Sequence, residues 1–364
     1  MKRIEDELTE LDFEKKRTKW KLILICLFTI LIFTILITIM IGAIGPLGKG
    51  SPEKIEMQAT LDILFGKAEL WPDVYKTIIL DMRLSRILLA ALVGCALAVS
   101  GTTMQGLFKN PMADPFIIGL SAGGAMGASI SILLGLSISA SIYSTPLLAF
   151  IGATSTVIVV HLIARTGGKV KVETLLLTGI AIGSFLTAVM SFMMYMASQQ
   201  FRFLFFWLLG GLYRASWDII VIASPLIISG TIIISFFARD LNAIILGEEP
   251  ATHLGIDVET VKKILLIFSS LVAGTAVAFS GIIGFVGLII PHLMRILVGP
   301  DHRILLPASA LSGGTFLVWA DTIARTVLSP TEIPVGIITA LCGAPFFVYL
   351  LQKSKKRGYS AYVA

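Results

Sequence analysis

Few side chains in this sequence could do covalent chemistry, and their spacing argues against it. Cys26, Cys95 and Cys342 stand singly in apolar runs, and His161, His253, His292 and His302 fall at intervals that match no metal site. The cysteines read as small core residues, the histidines as structural or exposed ones. Two stretches, Gly48-Lys49-Gly50 and Gly167-Gly168-Lys169, come nearest to a phosphate-binding loop. Both lack the earlier glycine and the Ser or Thr that should follow the lysine, so nucleotide is not bound by that route. Asp321 is the one acid inside an apolar run, "LVWADTIAR", four residues before Arg325. That spacing suits an ion pair on one helical face. It also leaves open a carrier driven by an ion gradient, which would use an acid at mid-membrane.

The elements that hold these residues are set by composition. Hydrophobic residues make up 56% of 364 and charged residues only 14%, with the charges gathered between long uncharged runs. A span needs about 20 mostly apolar residues. Runs of that kind lie at 20–45, 84–106, 115–136, 146–164, 174–197, 217–238, 262–281, 282–299, 304–328 and 334–352. The predicted fold is therefore an all-α, multi-pass membrane protein of about ten helices, with the division at 262–299 the least distinct. A mixed-charge tail, residues 1–19, precedes the first span, which is too long for a cleavable signal. Residues 20–352 form the membrane domain and 353–364 a second tail.

With the N-terminus inside and ten helices alternating, 20 of the 29 Lys and Arg residues fall in inner segments. This satisfies the positive-inside bias and returns the C-terminus to the cytoplasm of a cell-membrane protein. The net charge of +6 is then a topology signal and implies no nucleic acid partner.

An internal repeat is legible at a shift of 180 positions. Ile87, Gly94, Ala96, Ala98, Ser100, Gly101 and Pro111 recur as Ile267, Gly274, Ala276, Ala278, Ser280, Gly281 and Pro291. Residue 86 opens the second predicted helix and 266 the seventh, so the copies run in opposite directions. Inverted repeats of this kind enclose transport paths. Between the second and third helices, "FKNPMADPFIIGLSAGGA" makes a wetted turn bounded by Pro111 and Pro115. It then enters a rhythm of Gly119, Gly123 and Gly127 that lets another helix approach closely; Gly179 and Gly183 repeat the device. "FRFLFFWLLGGLYRASW", residues 201–217, is too short to cross and reads as an interfacial helix anchored by Trp207, Tyr213 and Trp217. Residues 46–82 read as an outer loop.

The longest inner loop, residues 239–263, holds two short amphipathic pieces, Leu241 to Leu246 and Pro250 to Leu254. Gly247 separates them and Gly255 closes the second. A compact loop on the cytoplasmic face suits a subunit that receives force from a soluble motor. A plain linker is the other reading.

In order and spacing, "RLSRILLAALVGCALAVSG", "NPMADPFIIG", "LGEEPATHLGI", "GFVGLIIPHLMR", "DHRILLPASALSGG", "LVWADTIAR" and "EIPVGIITALCGAPFFVYLL" resemble the FecCD-type permeases of ABC importers for iron siderophores, haem and cobalamin. The resemblance covers about residues 80–352. It implies a type II importer permease, not itself an enzyme, that pairs with a second copy around a central path. Its expected partners are two cytoplasmic ATPases, which would carry ATP and Mg while this chain binds no cofactor, and an external substrate-binding protein. The resemblance further implies that Arg83, Arg86 and Arg325 dock the binding protein from the outer surface. Gly247, Glu248, Ala251, Leu254 and Gly255 would couple to the ATPases, and Thr174 and Thr178 would lie at a cytoplasmic gate. The charged N-terminal tail matches no motif of the family.

Overall fold

The computed structural model describes the backbone of residues 2–42, 57–136, 143–166, 169–196 and 200–356. The Gly48-Lys49-Gly50 stretch, Gly167-Gly168 and most of the C-terminal tail lie outside the described residues. Fourteen helices can be followed: α1 Lys2–Met40, α2 Met57–Leu64, α3 Asp73–Leu107, α4 Leu120–Leu133, α5 Ser144–Ala164, α6 Val172–Met196, α7 Phe201–Leu208, α8 Trp217–Phe236, α9 Ala238–Leu246, α10 Glu248–His253, α11 Val258–Ser280, α12 Val286–Val298, α13 His302–Thr326 and α14 Val335–Lys356. Seven are long and apolar enough to cross a bilayer, and α4, α12 and α14 are shorter apolar helices, so the ten predicted spans all have a counterpart. The two strands among the described residues, Arg165–Thr166 and Lys169–Val170, form a small antiparallel hairpin before α6.

The centre of the bundle is a glycine seam. A Cβ added to Gly94 on α3 would strike the Gly313 carbonyl on α13, and one on Gly101 would strike the Gly287 carbonyl on α12. Without those methyls the backbones touch, which is how membrane helices gain dispersion energy where no hydrophobic effect drives them together. Contacts run from Arg86 with Asp321, through Gly94 with Gly313, to Gly106 with His302, so α3 and α13 are antiparallel. On the other flank α1 runs parallel to α13, from Trp20 beside Arg303 to Thr34 beside Trp319 and Thr38 beside Arg325. Both directions fit spans that alternate in chain order. The predicted glycine rhythm is realised on α4, where Gly123 and Gly127 receive the backbone of α5 at Gly152 and Leu148, while Gly179 meets the chain at Ile117 and Ile118.

Some polar atoms in this core find partners on other helices. Ser100 donates to the Ser269 carbonyl of α11 at 2.8 Å. Pro291 has no N–H to offer the Gly287 carbonyl one turn earlier, and the Gln105 side chain fills the gap, donating to the Gly287 and Leu288 carbonyls at 3.3 Å. The other end of Gln105 accepts from Arg295 at 3.1 Å.

Several boundaries differ from the sequence reading, each for a local reason. The outer loop expected at 46–82 contains α2, and α3 starts eleven residues before position 84, because Pro72 sets a first helical turn there. A π-helical segment, Thr77–Leu84, joins that turn to the span. Pro115 starts a 3-10 turn, Pro115–Ile118, capped by the Asp114 carboxylate, which accepts from the Phe116 N–H at 2.8 Å; α4 begins only after Gly119 at φ 81°. Burial pushes the Asp114 carboxyl up to about 6, against the opposing effect of that bond. The second repeat breaks earlier, at Gly281 with φ 68°, so the shift of 180 aligns the helix cores of α3 and α11 but not the turns beyond them. Element order still repeats, with a short helix after each. Trp207 is buried where an interfacial anchor was expected, whereas Tyr213 and Trp217 are exposed. Cys26 and Cys342 face outward and are not core residues.

Replacing Gly94 with Val should force α3 and α13 apart at a point where only backbone lines the gap. A loss of about 2–3 kcal/mol of stability is expected, read as a lower melting temperature of the detergent-solubilised chain, with Gly284→Ala, which meets open space, falling less.

Candidate functional site

Charged side chains gather at the two ends of the seam. At the end near residues 39, 86 and 332, Arg86 on α3 forks onto two acids. Its Nε and Nη2 donate to Asp321 at 2.9–3.0 Å and its Nη1 to Glu332 at 2.8 and 3.0 Å. Arg325 lies one turn beyond Asp321, its Nε 3.7 Å from the carboxylate, and its Nη2 donates to the Thr38 carbonyl at 3.0 Å. Arg83 donates to the Ile39 carbonyl at 3.2 Å. Thr38 and Ile39 are in the last turn of α1, whose carbonyls have no intrahelical partner and carry the negative end of the helix dipole. Two arginines therefore cap α1.

This placement changes the picture drawn from sequence. The three arginines were expected on the outer surface; Arg83 and Arg325 are 6% and 4% exposed, and Arg86 is nearly covered by its acids. The Asp321 and Arg325 pair does form, but the closer partner of Asp321 is Arg86, 235 positions away. Among the described residues Asp321 is the acid with the least exposed side chain, at 1%, and two guanidiniums face it. Beside this node a pocket of about 420 Å³ opens, lined by Arg86, Arg202, Phe203, Phe206, Tyr213 and Glu332 among others.

The opposite end carries the loop at 239–263. Its two predicted pieces are α9 and α10, and the glycine between them has φ 152° with Pro250 close behind, so a side chain at Gly247 would be both strained and crowded. Gly255 closes α10 at φ 83°. Of the other residues singled out, Ala251 is fully buried and anchors α10, and Glu248 is held by Lys262 at 2.6 Å. Leu254 projects into solvent at 74% exposure, and Leu246, which sequence reasoning passed over, does so at 84%. The loop is fixed to the bundle through Asn242, which donates to Asp301 at 2.8 Å and accepts the His302 N–H at 2.9 Å. Burial would raise the Asp301 carboxyl, but the bonds from Arg303 and Asn242 outweigh it and hold it down to about 2. The signal for this node was present as the dipeptide Asp301-His302 at a helix start, but its partner could not be read.

Thr174 and Thr178 lie one turn apart in the first turns of α6, both half-buried. Between and beyond them α6 exposes Leu177, Ile180, Phe185 and Phe192. Among the described residues no cluster of three or more His, Cys, Asp or Glu could hold a metal ion.

A glycine-packed bundle of about ten apolar helices, with a structured loop at one end and a covered ion-pair node at the other, has the architecture of a multi-pass membrane protein. Comparison with known protein families matches residues 30–353 to the FecCD transport family, and the chain belongs to it. It is 46% identical over 286 residues, 79% of this chain and 76% of the relative, to the cobalamin import system permease protein BtuC of Halobacterium salinarum. It is 43% identical over 281 residues, 76% of this chain and 84% of the relative, to the hemin transport system permease protein HmuU of Yersinia pestis. A solved structure, described as an inward-facing conformation of a metal-chelate type ABC transporter, superposes with a TM-score of 0.78 at 32% identity, covering 91% of this chain and 99% of that one. The chain is thus a transport permease of the ABC importer class.

Removing Asp321 strands buried guanidinium charge, so Asp321→Ala should cost about 3–5 kcal/mol. Glu332→Gln, at the exposed side of the same fork, should cost no more than about 1 kcal/mol. Thermal melts of the two variants in detergent check the ordering, and equal losses would sink the reading of the node.

Proposed function

We propose that this chain forms, with a second copy, the path by which a metal chelate enters the cell, an iron(III)-siderophore, haem or cobalamin, in an importer powered by two cytoplasmic ATPases. The observation that carries the proposal is the α9–α10 loop. It is ordered by a glycine corner, a buried Ala251, the Glu248–Lys262 pair and the Asn242 node, yet it turns two leucines into water. Ordered exposed apolar groups on a loop suit a partner's groove. The ATPases would hold ATP and Mg and grip this loop, and their closure would bias the permease between outward and inward access. The relatives' names support the cargo class; the half-buried hydroxyls of Thr174 and Thr178 suit a gate that large solutes pass with weak interactions.

In this arrangement the loop faces the cytoplasm with both termini, and the arginine node faces outward. An external binding protein would dock over the node and its pocket. Arg86 is the residue poised for that contact, because its outer partner, Glu332, is 41% exposed and an incoming carboxylate can replace it. Arg83 and Arg325 would then serve docking indirectly, by fixing α1 beside it. Such charge pairs govern encounter rate and register more than affinity. A second copy would cover the apolar face of α6.

The rival, a solitary carrier driven by an ion gradient, finds little support, since Asp321 is already neutralised by Arg86 and Arg325. The discriminating experiment reconstitutes the chain in liposomes with and without its ATPase and binding protein. Chelate uptake should require ATP and both partners; uptake by the chain alone under a proton or sodium gradient would refute the proposal. Leu254→Asp should lower ATP-driven uptake at least about tenfold with the melting temperature unchanged, because removing one buried apolar anchor from an interface costs about 2 kcal/mol.

A further inference from the structure

Four cations converge where α1 passes from its charged tail into its apolar run. Lys16 and Arg17 on α1, Arg239 on α9 and Arg303 on α13 line a pocket of about 390 Å³ with the ring of Trp20. The Lys16 ammonium and the Arg303 guanidinium each lie 5.2 Å from the centre of that ring. Asp301 offsets Arg303 with a contact of 2.6 Å, but among the described residues no ion pair engages Lys16, Arg17 or Arg239. Like charges brought this close repel one another, so an unneutralised cluster asks for an anion. The neighbouring surface says which kind. One turn along, Leu22, Ile25 and Phe28 of α1 are exposed apolar residues, and Trp20 sits between them and the charges, as tryptophan does at headgroup depth.

We propose that this pocket binds the phosphate of an anionic phospholipid headgroup, with the acyl chains lying along the apolar face of α1. Arginines present paired donors that match phosphate oxygens, and basic pockets between membrane helices on the cytoplasmic side take such headgroups. The placement on that side rests on the orientation proposed above. Because Arg239 opens α9, a bound headgroup would tie α1 and α13 to the loop that meets the ATPases. The test uses the purified full chain in detergent and native mass spectrometry, with phosphatidylglycerol, phosphatidylcholine and inorganic phosphate as probes. The chain should retain phosphatidylglycerol over phosphatidylcholine, and the double variant Arg17→Ala/Arg239→Ala should weaken that retention by roughly fivefold per cation, about 25-fold in all. Lys109→Ala/Lys171→Ala, equal in charge and at the same end, should leave it unchanged. Both pocket arginines are exposed, so folding should be unaffected, which the melting temperature checks. Lipid retention indifferent to Arg17 and Arg239, or displacement of the lipid by millimolar inorganic phosphate, would overturn the proposal. Neither ATPase nor substrate enters the assay, so its failure would leave the transport reading intact.

Discussion

The seam between α3 and α13 is the constraint on which the rest of the molecule depends. Backbone contact at Gly94 and Gly313, and the close approach of Gly314 to Ala91, leave no room for larger side chains, so the two helices have one register. That register delivers Arg86 to Asp321 at one end and Gly106 to His302 at the other. The first pairing decides where α1 must end, because Arg325 and Arg83 reach its last carbonyls. The second sets the start of α13 beside Asn242, and so positions α9 and α10. A single close-packed line thus connects an ion-pair node at one end with the α9–α10 loop at the other.

Charge inside the bundle serves structure. Burying a guanidinium without partners costs several kcal/mol, and each of Arg83, Arg86 and Arg325 has an acid or a helix C-terminus. The same pairing holds the Asp321 carboxylate between two guanidiniums. The ordered loop between α8 and α11, by contrast, leaves Leu246 and Leu254 exposed.

Much of this was legible in the sequence because membrane physics is local and one-dimensional. Apolar run length located ten apolar helices, and Gly247 and Gly255 marked a loop of two helices by their spacing alone. The motif order also pointed to the family that comparison then identified. What failed to show was whatever depended on contacts distant in sequence. Asp321 looked paired with Arg325 because position 325 is four residues away, and nothing announced Arg86. Arg83 and Arg325 looked like surface residues because their span ends are, and the α1 carbonyls they cap carry no sequence signal. Leu246 was overlooked because an apolar residue in an amphipathic helix reads as a packing residue until its surroundings are known.

The sequence by itself determined the membrane solvent, the set of about ten apolar helices and the glycine corner of the α9–α10 loop, since each follows from hydropathy or from the backbone limits of Gly and Pro. Only the tertiary structure decided which charges are buried, which leucines are free, and that Lys16, Arg17, Arg239 and Arg303 share one pocket. Those outcomes depend on helix register and rotation, which are fixed by steric fit between surfaces hundreds of residues apart.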